Sequence, residues 1–240
     1  MTAVSGGIQV LSNDGSGNLA AQSPIATGAG ASSLAAGDFD NDGKQDVAVA
    51  NTAAGTVSVL YGNGSGSFAS SETISVSGQP VAVAALGSDL VIASSSGLFL
   101  SVRGASSYGV PTSFSATAFA DVAVGDVSGT SANEIVAIDN ANATVSVFDG
   151  SSLALLSSFG CSSSPVSVTL GDLTNDGKQD IVVAGSSGVL VQVASSINDV
   201  ALGQGFTLVV SGGTLKASGD GTNRHLGDTD RKSTRLNSSH

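Results

Sequence analysis

Two stretches of this chain repeat one pattern at a fixed distance. LAAGDFDNDGKQDVAVAN, beginning at Leu34, and VTLGDLTNDGKQDIVVAG, beginning at Val168, share a Gly-Asp, an Asn-Asp-Gly-Lys-Gln-Asp and a following apolar run, 134 residues apart. That offset is three steps of about 45 residues, the length of a four-stranded propeller blade. Worn copies fill the interval. ALGSDLVIASS from Ala85 keeps the apolar run without the acids, and VGDVSGTSANEIVAID from Val124 keeps Asp126 and Glu134. ALGQGFTLVVS from Ala201 resembles the acid-poor form and is taken as a fifth copy.

A second element recurs between these: GGIQVLSNDGSG from Gly6, GTVSVLYGNGSGSF from Gly55, GLFLSVRGAS from Gly97, ATVSVFDGSS from Ala143 and GVLVQVASS from Gly188. Their starts lie 49, 42, 46 and 45 residues apart. Residues alternate with period two, and most copies then enter a Gly/Asn/Asp/Ser turn, which reads as a strand and its hairpin. Three or four such strands cannot bury both faces alone. Stacking the sheets around an axis buries them and leaves only short edges. The expected fold class is therefore all-β, a β-propeller of four-stranded antiparallel blades with about five repeats in residues 1–229. A stacked β-roll would need contiguous Gly-Gly-x-Gly-x-Asp turns, which do not occur in tandem.

Composition agrees with short strands and many turns: 32 Gly, no Trp and 11% charged residues. The net charge of -11 argues against nucleic acid, whose phosphates need Lys and Arg, and favours divalent cations. The single Cys161 excludes an internal disulfide framework and is expected to be a small apolar filler. No run reaches the ~18 apolar residues of a membrane helix, and the N-terminus lacks the basic start and apolar core of a signal peptide. Residues 230–240, DRKSTRLNSSH, match the translation of a widely used sequencing adapter and hold three of the chain's eight basic residues. This tail is expected to be an artefact without ordered structure and is set aside.

The acidic loops carry the chemistry. Asp38, Asp40, Asp42 and Asp46 occupy positions 1, 3, 5 and 9 of the first loop, with Gly43 at position 6. Alternate spacing lets a curled backbone turn successive carboxylates toward one point, and Gly supplies the sharp turn. Ligands that are all oxygen suit a hard cation, and calcium tolerates the irregular shell such a loop offers. The Lys44 carbonyl at position 7 is expected to complete the set. An EF-hand would need a carboxylate at position 12, where Val49 stands inside an alternating strand.

The loop from Asp172 repeats the scheme with Asp172, Thr174, Asp176, the Lys178 carbonyl and Asp180; one fewer anionic ligand predicts weaker binding. The loop from Asp126 offers Asp126, Ser128, Thr130 and Glu134 as a weaker candidate, without Gly at position 6. The alternative for all these acids is a solvated Asn-Asp-Gly turn. Four acids in nine residues repel one another unless a cation neutralises them.

On Gly37 to Asn51, Gly171 to Ala184 and hairpins such as Val57 to Phe68, the chain resembles the FG-GAP or VCBS repeat family, relatives of the integrin α-subunit propeller. The resemblance extends from Gly6 to about Asn223. It implies a ring that is typically seven-bladed, of which this chain holds only part, and an extracellular setting, secreted or on a cell surface.

For hydrolytic chemistry the chain offers little. His225 is the one His outside the tail and is expected to be a surface residue, and no Gly-x-Ser-x-Gly elbow or phosphate-cradling Gly loop opens a helix. The expected function is a non-catalytic calcium-binding module for extracellular binding or adhesion, with a protein or glycan ligand. The alternatives are the accessory propeller of a secreted enzyme and a calcium-stabilised spacer.

Overall fold

The structure is a computed structural model that describes residues 2–4, 6–161, 164–186, 188–192, 207–211 and 214–218. His225, the tail at 230–240 and the opening of the copy at Ala201 lie outside them. The described residues are strands, turns and connections, and no helix among them is long and apolar enough to cross a membrane.

The chain opens with short strands. β1 (Thr2–Val4) pairs with β2 (Gly7–Gln9), and β2 pairs with β5 (Ile25–Ala26); β3 (Leu11–Asn13) and β4 (Leu19–Ala21) form a hairpin between them. Four antiparallel sheets follow, each in chain order. Sheet I holds β6 (Ala31–Gly37), β7 (Asp46–Asn51), β8 (Thr56–Gly62) and β9 (Phe68–Ser75). Sheet II holds β10 (Pro80–Leu86), β11 (Asp89–Ser94), β12 (Gly97–Ser101) and β13 (Thr112–Ser115). Sheet III holds β14 (Asp121–Gly125), β15 (Glu134–Asp139), β16 (Thr144–Asp149) and β17 (Leu155–Gly160). Sheet IV holds β18 (Pro165–Gly171), β19 (Asp180–Gly185) and β20 (Gly188–Gln192), then β21 (Thr207–Ser211) and β22 (Thr214–Ser218).

The sequence reading counts the stretch from Ala201 as a fifth copy of the first and second strands, only 32 residues from the fourth copy. Instead, its strand Thr207–Ser211 joins sheet IV through Leu190↔Val209, so five strands share that sheet. β20 has an open edge of unpaired backbone groups, and pairing there satisfies them.

The second strand of each sheet explains why the repeats read as continuous apolar runs. β7 and β15 are buried at every residue, because a sheet packs against each face. Val47 and Val49 of β7 join Ile8 and Leu60 on the side of the N-terminal strands, whereas Ala48 and Ala50 face sheet II with Val83, Leu90 and Ile92. One step on, Val91 and Ala93 of β11 meet Phe119, Ile135 and Ala137. Val136 and Ile138 of β15 then meet Val168, Ile181 and Val183 of sheet IV. The core is thus a row of sheet-to-sheet seams, and period-two alternation inside each strand decides which seam a side chain enters.

Polar ties fasten the seams where sheets connect. Thr52, after β7, donates Oγ1 to the carbonyl of Pro80 at the head of β10 (2.7 Å), and Asn140, after β15, donates Nδ2 to the carbonyl of Pro165 at the head of β18 (2.9 Å). Proline suits the first residue of a strand, where a missing N–H removes no ladder bond.

Candidate functional site

The connection from first to second strand is the acidic loop in sheets I, III and IV. In sheet II it is a two-residue turn, Gly87 and Ser88. All three loops share a backbone conformation. Positions 4 and 6 have positive φ: Asn41 (60°) and Gly43 (83°), Gly129 (74°) and Ser131 (65°), Asn175 (60°) and Gly177 (84°). Left-handed backbone suits Gly and is tolerated by Asn, so loops I and IV adopt it easily. Loop III shifts its Gly to position 4 and holds Ser131 in the less favourable state.

The acid at position 1 builds that turn. Asp38 accepts the amides of Asp42 (3.0 Å) and Gly43 (2.9 Å). Asp126 accepts those of Gly129, Thr130 and Ser131 at 2.6 to 3.2 Å, and Asp172 those of Asn175, Asp176 and Gly177 over the same range. The Gly177 amide, with those of Asn175 and Asp176, holds the Asp172 carboxyl below the usual carboxylate range.

The acid at position 9 is drawn into the sheet instead. Asp46 is fully buried; one oxygen accepts the Phe39 amide (2.8 Å) and the other the Gly62 amide (2.7 Å). Asp180 is also fully buried and accepts the Leu173 amide (2.8 Å). Glu134, 3% exposed, accepts the amides of Val127 (2.9 Å) and Ser128 (3.0 Å) and the Ser128 hydroxyl (2.8 Å). Ser128 in turn shares a hydrogen bond with Thr130 (2.7 Å).

Of the candidate ligands, the structure brings Asp38, Asp40 and Asp42 together, with one carboxylate oxygen from each within 4.8 Å of the others. Among the described residues, this is the one group of three or more His, Cys, Asp or Glu side chains gathered so closely. Asp46 stands apart from it on its two amides. In loop IV, Asp172 and Asp176 shape the turn, Asp176 accepting the Lys178 amide (3.0 Å), and Thr174 lies exposed between them. Lys44 pairs its ammonium with Asp42, which lowers the Asp42 pKa and raises that of Lys44. A cleft of about 410 Å³ adjoins loop I, lined by Lys44, Gln45, Val10, Phe68 and the turn at Gly62, Gly64 and Gly66.

One cluster escapes the sequence reading. Arg103 lies between Tyr61 (5.2 Å to the ring centre) and Tyr108 (5.3 Å), and its guanidinium donates to Tyr61 Oη (2.6 Å) and Glu72 (3.1 Å). Glu72 also accepts the Tyr61 hydroxyl and the Tyr108 amide, both at 2.7 Å, and burial pushes both phenols well above their usual pKa. The arrangement clamps the 102–111 loop of sheet II to the outer strands of sheet I. The available signal was scarcity: these are the chain's only two tyrosines, and both meet at one arginine.

Comparison with known proteins agrees with this geometry. Residues 1–49 and 38–90 match the profile of the FG-GAP-like repeat. No curated protein matches the sequence. Among solved structures, BBS1N in complex with ARL6DN, in crystals soaked with mercury or with lead, is similar at 15% identity and a TM-score of 0.58. The alignment covers 78% of this chain and 57% of that one. An Agrocybe aegerita lectin that recognises non-reducing terminal N-acetylglucosamine aligns at 16% identity and a TM-score of 0.50, over 89% of this chain and 60% of the lectin. The chain therefore spans less than two thirds of either protein, and at such identity the likeness speaks for the fold. Residues 1–90 carry FG-GAP-like repeats, and the chain is built of the four-stranded antiparallel blades of a β-propeller-type fold.

Proposed function

We propose that this chain is a calcium-binding β-propeller module for extracellular binding or adhesion and that it is not itself a catalyst. The observation that carries the metal reading is the convergence of Asp38, Asp40 and Asp42. Three carboxylates at that spacing form a hard, anionic oxygen set on a glycine-hinged turn, which fits calcium's preference for oxygen ligands and loose geometry. The Lys44 carbonyl and water would add to the set. The ammonium of Lys44 already offsets part of the charge at Asp42, as expected of a site that favours a cation. Loop IV, with Asp172, Asp176 and Thr174, would bind more weakly, and loop III more weakly still.

The binding role draws support from two structural relatives, one solved with a protein partner and one a glycan-recognising lectin. Either ligand class suits a blade scaffold whose loops vary while its ladders do not. Nucleic acid is disfavoured by the net charge of -11.

Calorimetric titration of calcium into chelator-treated protein tests the metal reading. The expected result is a site with Kd of about 0.1 to 1 mM, the class of extracellular calcium modules, and a second, weaker one. Asp38→Asn with Asp40→Asn removes the tighter site and leaves the weaker. Absence of calcium-dependent heat at millimolar concentration overturns the proposal.

A further inference from the structure

Loops I and IV share all six residues from position 4 to position 9, Asn-Asp-Gly-Lys-Gln-Asp, yet that run brings its Lys-Gln pair to different neighbours. In loop I the stem of Lys44 lies over Gly64 and the Gln45 carbonyl lies against Gly62, both in the hairpin of sheet I itself. In loop IV the same pair crosses a seam. The Lys178 stem lies over Gly129, where an added Cβ would sit 2.7 Å from Lys178 Cε. The Gln179 side chain leaves no room for a Cβ at Gly125, and its amide oxygen is buried there. The Gln179 backbone amide donates to the Asp126 carbonyl (3.0 Å). Gly125 and Gly129 flank Asp126, the residue that organises the turn of loop III.

We infer that loops III and IV form one cooperative unit, in which the Lys178–Gln179 edge of loop IV braces the turn that Asp126 builds in loop III, while loop I folds independently. The brace touches loop III at its organising residue and on both sides of it. Loop III also needs support more than the others, since Ser131 holds a left-handed conformation that Gly43 and Gly177 occupy without penalty. Loop I has no such neighbour, because the corresponding turn of sheet II is cut to Gly87 and Ser88. Coupling between sites is reciprocal in free energy, so order in loop III also supports loop IV. The inference concerns regulation of the loops proposed above to bind calcium. If they do bind it, filling loop IV raises the affinity of loop III and leaves loop I unaffected.

Amide hydrogen exchange on the whole chain, first without added calcium, tests the brace apart from the metal reading. In a Lys178→Ala, Gln179→Ala variant the amides of Gly129, Thr130 and Ser131 should exchange on the order of fivefold faster, the low end of ordinary coupling between sites. Those of Asp42 and Gly43 should keep their rates. Asp126→Asn should in turn speed exchange at Asn175, Asp176 and Gly177. Unchanged rates at 129–131, or equal acceleration at 42–43, overturn the inference. Repeating the measurement across a calcium titration separates the two proposals: coupling that persists without any calcium response retains the brace and removes the metal.

Discussion

Sheets I and II are built on the same four-stranded ladder, and the difference that bears on the acids lies at the first connection. Both begin with a register shift in the first strand, at Ala31/Ser33 and at Pro80/Ala82, and both close on a pair that ends in an acid, Gly37↔Asp46 and Leu86↔Asp89. Between those closing residues sheet I inserts the acidic loop and sheet II only Gly87 and Ser88. One acid survives the loss of the loop. Asp89 accepts the Arg103 amide at the end of β12 (2.7 Å), as Asp46 accepts the Gly62 amide at the end of β8 (2.7 Å). The acid at position 9 therefore has a task in the sheet that requires no loop and no cation, tying the start of the second strand to the end of the third. The acids at positions 1, 3 and 5 exist only where the loop does.

The comparison extends to position 2 and to the sharpest test. Phe39 is fully buried in the seam with sheet II, whereas Leu173 at the same place in sheet IV is 61% exposed. Phe39→Ala should cost about 3 to 5 kcal/mol, from lost burial and the cavity left behind, read as a lower denaturant midpoint. Leu173→Ala should stay within about 0.5 kcal/mol. Equal costs would mean that the two sheets are covered alike.

A smaller effect separates the two closing acids. Asp46→Ala strands the buried amides of Phe39 and Gly62 and should cost about 3 kcal/mol, while Asp89→Ala strands one amide and should cost about 1 kcal/mol. Measured by denaturation in chelator, this difference is free of any metal contribution. If Asp46→Ala were harmless without calcium yet abolished calcium binding, the division between sheet acid and loop acids would be wrong.

The smallest effect is a response to acid. Backbone amides, that of Gly177 foremost, depress the pKa of Asp172 in the folded chain. A depressed carboxylate stabilises the fold above its unfolded value, near 3.8, and that contribution fades as pH falls through the lower folded value. Exchange protection at Asn175, Asp176 and Gly177 should hold steady at neutral pH and fade below about pH 3.8. The turn at Gly87 and Ser88, with no such carboxylate at its centre, should show no matching change.

Much of the architecture was legible in the chain itself. The spacing of the Gly-Asp runs located the blades, and the Gly/Asn-rich hairpin copies located their third and fourth strands. Asn63 shows why: its Oδ1 accepts the Ser65 amide (2.9 Å), and its own amide donates to the Ser67 carbonyl (2.9 Å), so the turn is specified within five residues. The loss of the acidic loop near Ala85 was equally plain. The division of labour among the acids was not. Asp38 and Asp46 look alike in a list of carboxylates, and only the approach of Gly62, far along the chain, makes Asp46 a residue of the sheet. The strand at Thr207 was also misplaced, because an apolar run pairs with whichever edge is open to it.

The sequence by itself determined the repeat, the four-stranded blade and the places where acidic loops leave it, since turns, alternation and left-handed positions depend on neighbours a few residues away. Tertiary structure alone decided which acids point into a sheet, that Phe39 is sealed while Leu173 is not, that Arg103 gathers both tyrosines, and that loop IV rests on loop III. The place of Asp46 depends on the end of the third strand of its own sheet, 16 residues on, and the others on packing between sheets, where partners lie some 40 or 50 residues apart and no short-range preference brings them together.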